Sequence, residues 1–342
     1  MADPHNLILV LHGPEIFDAG DVPFLIERLR PDRVIVAGVM ARTAAEESGI
    51  PCEFISLPPS MVIQNLSPVA VLANHGKTPE SGRIFGEIVA SRLFPQGLIQ
   101  IEASSRTLYG WNHEMDEVMR SISRKTGYGI ALAPAGKARG SRVRTIRGCE
   151  PGEAVYVNGT VIGHATGPEV TLRTEYGRVI PVSGLVPKTH GLERLEGLFT
   201  DLSLIWCKSG SIRSAVPEPS GRRQMEGRVL LIDHCGHDLY RNLSGDICGI
   251  VSIGDDTTAV CGHVAAHLGI PVLGIIDGDA DGIVSGSFVH GSAIARAIAE
   301  RDDDIGSEIR EMIPDGIVAW DQFVERILRY LGNRVEITRP SG

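Results

Sequence analysis

Five aspartates stand just beyond two apolar runs: Asp255 and Asp256 after Ile250–Ile253, and Asp277, Asp279 and Asp281 after Val272–Ile276. Hard divalent cations such as Mg²⁺ are held by a few carboxylates and keep waters that a phosphate can replace. Asp-x-Asp in extended chain presents two oxygens to one ion, and Gly278 and Gly282 permit the turning this needs. The spacing therefore predicts a site for Mg²⁺ (or Mn²⁺), with Asp277, Asp279, Asp281 and Asp255 as ligands. Asp256, Thr257 and Thr258 open the segment after the first run, where hydroxyls and backbone N–H groups hold a phosphate. The plainer reading is that these residues cap helices and form Asx turns, a common task of Asp at such places.

Other chemistry-bearing groups follow other apolar runs. His12 and Glu15 come after Leu7–Leu11, and His75 and Lys77 after Val69–Ala73. They predict a pocket for a small anionic ligand, set against an ordinary group of solvated loop residues. Gly76-Lys77-Thr78 resembles the end of a P-loop, but Val71 stands where G-x-x-x-x-G-K-T requires glycine. No G-x-G-x-x-G follows the first apolar run, so a nicotinamide cofactor is not indicated. Asp233, His234 and His237 cluster after Val229–Ile232, and a histidine there offers a general acid or base. Cys-Gly-His occurs at Cys235–His237 and Cys261–His263, a weak zinc signal because the spacing matches no established ligand pattern.

These residues need strands to carry them. Continuous apolar runs alternating with helix-compatible stretches predict parallel sheets covered on both faces. The fold class expected is α/β: two doubly wound parallel-sheet domains with a small antiparallel β insert between them. Expected boundaries are 1–138 for a Rossmann-like domain, 139–215 for the β domain and 216–342 for the second α/β domain. Asn158-Gly159 marks a hairpin in the insert. Ala259–Leu268 is the helix between the two acidic runs. Right-handed crossover then puts both acidic tips on one edge, where ligands of open α/β sheets bind. Alanine-rich 292–301 is expected to be helical, as is Trp320–Leu331.

Composition limits the function classes. The chain has 342 residues and a net charge of −9, which argues against a general nucleic-acid partner, since phosphate backbones are bound largely by Lys and Arg. Arg142, Arg144 and Arg147 form the most basic local patch. No apolar run approaches the ~18 residues of a membrane span, and Leu7–Leu11 is too short for a signal-peptide core. A cytoplasmic protein is expected. The six dispersed cysteines contain no C-x-x-C and are expected to be reduced.

The stretch GIPVLGIIDGDADG after a strand and a helix resembles the Toprim fold of topoisomerases, primases and OLD-type nucleases. That resemblance covers about 228–286 and implies Mg²⁺ ligation by Asp277 and Asp279. Toprim domains carry a glutamate after their first strand; here Ile232-Asp233-His234 occupies that place, so Asp233 would take the role of acid or base. Over its whole length, through LVLHGPEIFDAG, NHGKTPESG and GDDTTAV, the chain is similar to an uncharacterised archaeal family found mainly in methanogens. Three functions stay open at this point. One is Mg²⁺-dependent phosphoryl or nucleotidyl transfer, or phosphate-ester hydrolysis, on a small molecule. The second is non-catalytic binding of a nucleotide or cofactor, and the third a Toprim-type nucleic-acid enzyme. The partner implied is a phosphorylated small molecule or nucleotide, with a homodimer compatible.

Overall fold

The computed structural model describes residues 7–66, 70–137, 142–158, 160–197, 201, 202, 205, 207–210, 213, 215–217, 224–277 and 288–340. The chain forms two compact units, 1–158 with 162–210 and 159–161 with 211–342. The first α/β sheet and the small antiparallel sheets share the first unit, where the sequence expects a boundary near 138.

In the first unit β1 (Ile8–His12), β2 (Arg33–Ala37), β3 (Glu53–Ile55), β4 (Ala70–Asn74), β5 (Leu98–Glu102), β6 (Thr107–Trp111) and β7 (Gly129–Ala133) form a seven-stranded sheet, ordered β3-β2-β1-β4-β5-β6-β7. All neighbours are parallel except β5 and β6. Helices α1 (Glu15–Asp18), α2 (Asp21–Leu29), α3 (Val39–Ser48), α4 (Pro59–Gln64), α5 (Pro79–Leu93) and α6 (Glu117–Thr126) make the connections. β1 shows why its residues are apolar without alternation. Leu9 and Leu11 join one core cluster and Ile8 and Val10 another, because successive side chains leave opposite faces and both are covered. β3 and β6 are short strands whose Glu53, Thr107 and Gly110 interrupt the apolar pattern.

The rest of this unit is antiparallel. β8 (Val143–Arg147), β11 (Glu169–Glu175) and β12 (Arg178–Ser183) make one sheet, and β9 (Ala154–Val157), β10 (Thr160–Ala165), β13 (Leu185–Pro187) and β14 (Cys207–Ser209) another. One core cluster holds residues of both sheets, among them Val155, Ile162, Val170 and Leu172. α7 covers Thr189–Arg194.

The second unit is a six-stranded sheet ordered β19-β15-β16-β17-β18-β20, with β15 (Glu226–Asp233), β16 (Ile247–Ile253), β17 (Val272–Ile276), β18 (Ala293–Ala297), β19 (Val318–Ala319) and β20 (Val335–Thr338). The four central strands are parallel and lie in chain order; β19 and β20 pair antiparallel at the two edges. Its helices are α8 (Leu239–Asn242), α9 (Asp255–Leu268), α10 (Asp302–Met312) and α11 (Trp320–Leu331). α11 buries Trp320, Phe323, Val324, Ile327, Leu328 and Leu331, the i, i+3, i+4, i+7 stripe of an amphipathic helix.

One expectation is overturned here. Residues 293–297 are a strand, not the first part of a helix. Alanine favours helix intrinsically, but Ala293, Ala295 and Ala297 point into the core that holds Trp320 and Phe323. Small side chains at alternate positions give a thin strand face there, and tertiary packing overrides propensity.

Candidate functional sites at the carboxyl edges of the two sheets

At the carboxyl edge of the second sheet, β15 ends in Asp233 and the chain turns at once through His234. This residue has φ +51, a left-handed conformation uncommon for anything but glycine. The turn folds the ring back so that His234 Nδ1 lies 2.5 Å from Asp233 Oδ1. Arg310 of α10 donates to the other oxygen, Asp233 Oδ2. The hydrogen bond from His234, aided by the Arg310 charge, holds the Asp233 carboxyl below the usual carboxylate range.

Around the same imidazole the first turn of α10 brings two more carboxylates. Asp303 Oδ1 is 3.7 Å from Nδ1 and Asp302 Oδ2 is 3.9 Å from Nε2. Asp302 is fully buried, and its Oδ1 accepts from the Asp303 amide at 2.9 Å. Gly254, at the tip of β16, completes the enclosure. Its φ is +100, and a Cβ there would sit 2.7 Å from His234 Nε2. Asp233, His234 and Asp303 each offer one donor atom, all within 4.8 Å of one another. Two carboxylate oxygens and an imidazole nitrogen fit an ion that accepts mixed O and N ligands, Mn²⁺ more readily than Mg²⁺.

The residues expected to bind metal are distributed differently. Asp255 is the buried first residue of α9, and Asp277 follows β17 directly. No donor set among the described residues joins Asp255 to Asp277. Asp279 and Asp281 lie outside the described residues. Asp277 offers a carboxylate oxygen within 4.8 Å of one from Asp302, the buried carboxylate that lies 3.9 Å from His234 Nε2. Thr258 is fully buried; its hydroxyl meets Ser252 Oγ at 2.9 Å and its amide donates to Gly254 O at 2.8 Å, so it serves the packing of α9 on β16. Thr257 is also buried, and Asp256 lies between them and Asp255 in the first turn. His237 falls on the short 3-10 turn Gly236–Asp238, its side chain outside the description. His263 Nε2 lies 3.0 Å from Arg213 Nη1, and burial pushes the Cys261 thiol well above its usual range.

The first unit gathers the remaining predicted residues. Its strand order reverses between β1 and β4, and such switch points open a crevice at the carboxyl ends of the two strands. Residues 12–15 and 74–78 line it. His12 lies on the tip of β1, with Nδ1 2.9 Å from Ala37 O and its ring stacked on Phe85 at 4.6 Å. Burial lowers its pKa to about 4, so the ring is neutral at pH 7. His75 Nδ1 contacts Asp21 Oδ2 at 2.7 Å.

Lys77 places Nζ 2.7 Å from both oxygens of Glu153. A phosphate would have to displace that carboxylate. The loop amides are committed as well: Gly76 N donates to Glu102 Oε1 at 2.9 Å, and Thr78 and Ser81 form a reciprocal capping box. In this arrangement Lys77 and the Gly76 amide are held by Glu153 and Glu102. Glu102 is fully buried and also accepts from Ser104 and Ser105, which makes it a positioning residue for this loop. Glu15 lies over Gly13, whose added Cβ would meet Glu15 Oε2 at 2.7 Å. Lys208 of β14 lies within electrostatic reach of Glu15. Burial lowers its ammonium pKa, while the charge of Glu15 opposes that shift.

Sequence reading missed Asp302, Asp303 and Arg310 as partners of Asp233 and His234. The signal was present: 302–304 is another acidic segment beyond a strand, visible only if 293–297 is read as that strand.

Comparison with known proteins agrees with the whole-chain resemblance. A protein of Methanocaldococcus jannaschii, itself uncharacterised, is 28% identical over 92% of this chain and 99% of its own length. No solved structure matches. Residues 9–316 match the family model described as an uncharacterised protein conserved in archaea, DUF2117. The chain belongs to that archaeal family.

Proposed function

We propose that this protein is a divalent-cation-dependent enzyme acting on a phosphorylated small molecule, by phosphoryl or nucleotidyl transfer or by phosphate-ester hydrolysis. The observation that carries the reading is the convergence of Asp233, His234 and Asp303 within 4.8 Å at the carboxyl edge of a parallel sheet. A Mg²⁺ or Mn²⁺ ion held there would neutralise phosphate charge and orient the attacking group. Asp233 stays ionised, so it is suited to ligation and to orienting His234 rather than to carrying a proton. His234, oriented through the Nδ1 contact with Asp233, would supply the nitrogen ligand of the ion. A cytoplasmic location belongs to the same reading; no helix among the described residues is long and apolar enough to cross a membrane.

Calorimetric titration with Mn²⁺ and Mg²⁺ tests this directly. Binding should be present in the intact protein and lost in Asp303→Asn and His234→Ala, with Mn²⁺-dependent release or transfer of phosphate failing in the same variants. If neither ion binds, or both variants bind as tightly as the parent, the reading fails.

A second reading, a nucleotide- or cofactor-binding protein without turnover, is favoured by the reversal of strand order between β1 and β4 in the first unit. It predicts a small molecule retained through purification, visible by native mass spectrometry, and no metal-dependent turnover.

A further inference from the structure

β7 ends the seven-stranded sheet and pairs with β6 alone. It reads Gly-Ile-Ala-Leu-Ala, five residues without charge or proline, in unbroken register with β6. Leu132 within it is 51% exposed. Proteins usually blunt such edges by shortness, charge or proline. Among the described residues the other strands that end a sheet all do so. β3, β13, β14 and β19 have only two or three residues. β8 carries Arg144 and Arg147, β12 carries Arg178 and Pro181, and β20 carries Glu336.

The main chain of β7 shows what the edge offers. Gly129 N donates to Arg106 O at 3.1 Å, and Ala133 O accepts from Asn112 N at 3.0 Å. Alternate residues of a strand turn their N–H and C=O groups to opposite sides, so 129, 131 and 133 serve β6 while Ile130 and Leu132 turn theirs outward. The outward row stops there. Tyr128 N donates to Thr126 Oγ1, Tyr128 O accepts from Ser123 Oγ, and residue 134 is proline.

This short row is its own complement. A two-fold axis at Ala131 sets Ile130 opposite the partner's Leu132, and Leu132 opposite the partner's Ile130, in antiparallel pairing. Each pair exchanges two N–H···O=C bonds, so every outward group is satisfied. The apolar side chains of each pair meet on one face. The helix layer matches as well. α6 packs on both β6 and β7, with α2 against it. Strands lie about 4.8 Å apart, so two helices centred over their own β6–β7 pairs would stand about 10 Å apart, close to helix packing distance. They run antiparallel across the axis. α6 has Glu117 in its first turn and Arg124 and Lys125 in its last, all exposed. The acidic start of one helix therefore meets the basic end of the other.

We infer that β7 and α6 form the surface by which two copies of this chain dimerise, joining their seven-stranded sheets into one. The contact is isologous and uses up the open edge of both copies. The far ends of the joined sheet are the two β3 strands, three residues each with Glu53 held by Arg33, so growth stops at two. This surface is independent of the cation site proposed in the second unit.

The test uses the full chain. Sedimentation velocity should show a dimer that dissociates on dilution. Leu132→Lys should keep the parent's circular dichroism and raise the dimer dissociation constant by about tenfold or more, the scale of two lost apolar cross-strand pairs and two buried charges. Amide hydrogen exchange of the parent, which needs no variant, should slow at Ile130 and Leu132 as concentration rises. A third measurement fixes the register. Opposed residues 131 would have Cα atoms about 4.5 Å apart, within disulfide reach. Ala131→Cys should therefore form a covalent dimer on mild oxidation, above the background of the six native cysteines, and Gly129→Cys should not. The inference is overturned if the parent stays monomeric into the high-micromolar range, even where it captures an extended peptide of another protein. It is equally overturned if Leu132→Lys folds and dimerises as the parent does, if exchange at 130 and 132 ignores concentration, or if Gly129→Cys cross-links as well as Ala131→Cys.

Discussion

Gly249→Ala should be among the most damaging single-methyl additions in the second unit. Gly249 lies within β16, the strand whose tip carries Gly254 and Asp255. A Cβ added there would stand 2.0, 2.2 and 2.4 Å from three ring atoms of Trp320. Carbon atoms rest about 3.5–4.0 Å apart, so ring or strand must move by about 1.5 Å. Neither has room: Trp320 is fully buried, its Nε1 donates to Gly291 O at 2.9 Å, and β16 is paired on both sides. Overpacking of this kind costs about 1–3 kcal/mol, with larger values where nothing yields. Restricting the unfolded chain returns roughly 0.4–1 kcal/mol. The expected net loss is about 2–3 kcal/mol, or about 6–12 °C in melting temperature for a unit of this size. Thermal and urea unfolding would measure it, with tryptophan fluorescence as one probe and far-UV circular dichroism as the second. The decisive comparison is a cycle with Trp320→Leu, which removes the ring. Leucine is costly alone, yet Gly249→Ala should cost far less on that background. Additive effects in the cycle, or a harmless Gly249→Ala, would refute the packing argument.

Further outcomes follow from the first unit. His12 has a pKa of about 4 when folded, below the roughly 6.5 of an unfolded histidine. Its neutral form is therefore favoured by folding; that stability is fully present above pH 6.5 and is lost as pH falls toward 4. His12→Gln should flatten the pH dependence of stability across that window, and an unchanged slope in denaturant melts would count against the assignment. Glu102→Gln replaces a buried acceptor of three hydrogen bonds by a group that must turn one N–H toward a donor. A loss of about 1–3 kcal/mol is expected, with faster hydrogen exchange of the Gly76 amide as its local signature.

The sequence disclosed most where local and tertiary preferences agree. β1 is apolar throughout because both faces are covered, and α11 carries its stripe at helical spacing, so both were legible. The strand at 293–297 was not, since Ala-Ile-Ala-Arg-Ala satisfies a helix until Trp320 and β20 are known to pack beside it. The cost of that error was the site: with 292–301 read as helix, no strand leads into 302–304 and nothing links Asp303 to His234. The aspartates at 255 and 277 were legible as strand-tip residues, but sequence could not show that Asp302 comes within 4.8 Å of Asp277. Thr258 looked available for phosphate because its place at a helix start was evident while its pairing with Ser252 was not. Lys77 looked free because Glu153, far along the chain, was invisible as its partner.

The two outermost strands of the second sheet come from one short segment. β19 and β20 are contributed by 318–338, with α11 running between them, so the end of the described chain reaches both borders of a sheet built from the preceding ninety residues. During synthesis the four parallel strands leave the ribosome with both borders unpaired, and each border is a template for pairing with another chain. The same late-arriving segment covers both. Assembly of this unit thus waits for 318–338, and loss of that segment would open two borders at once.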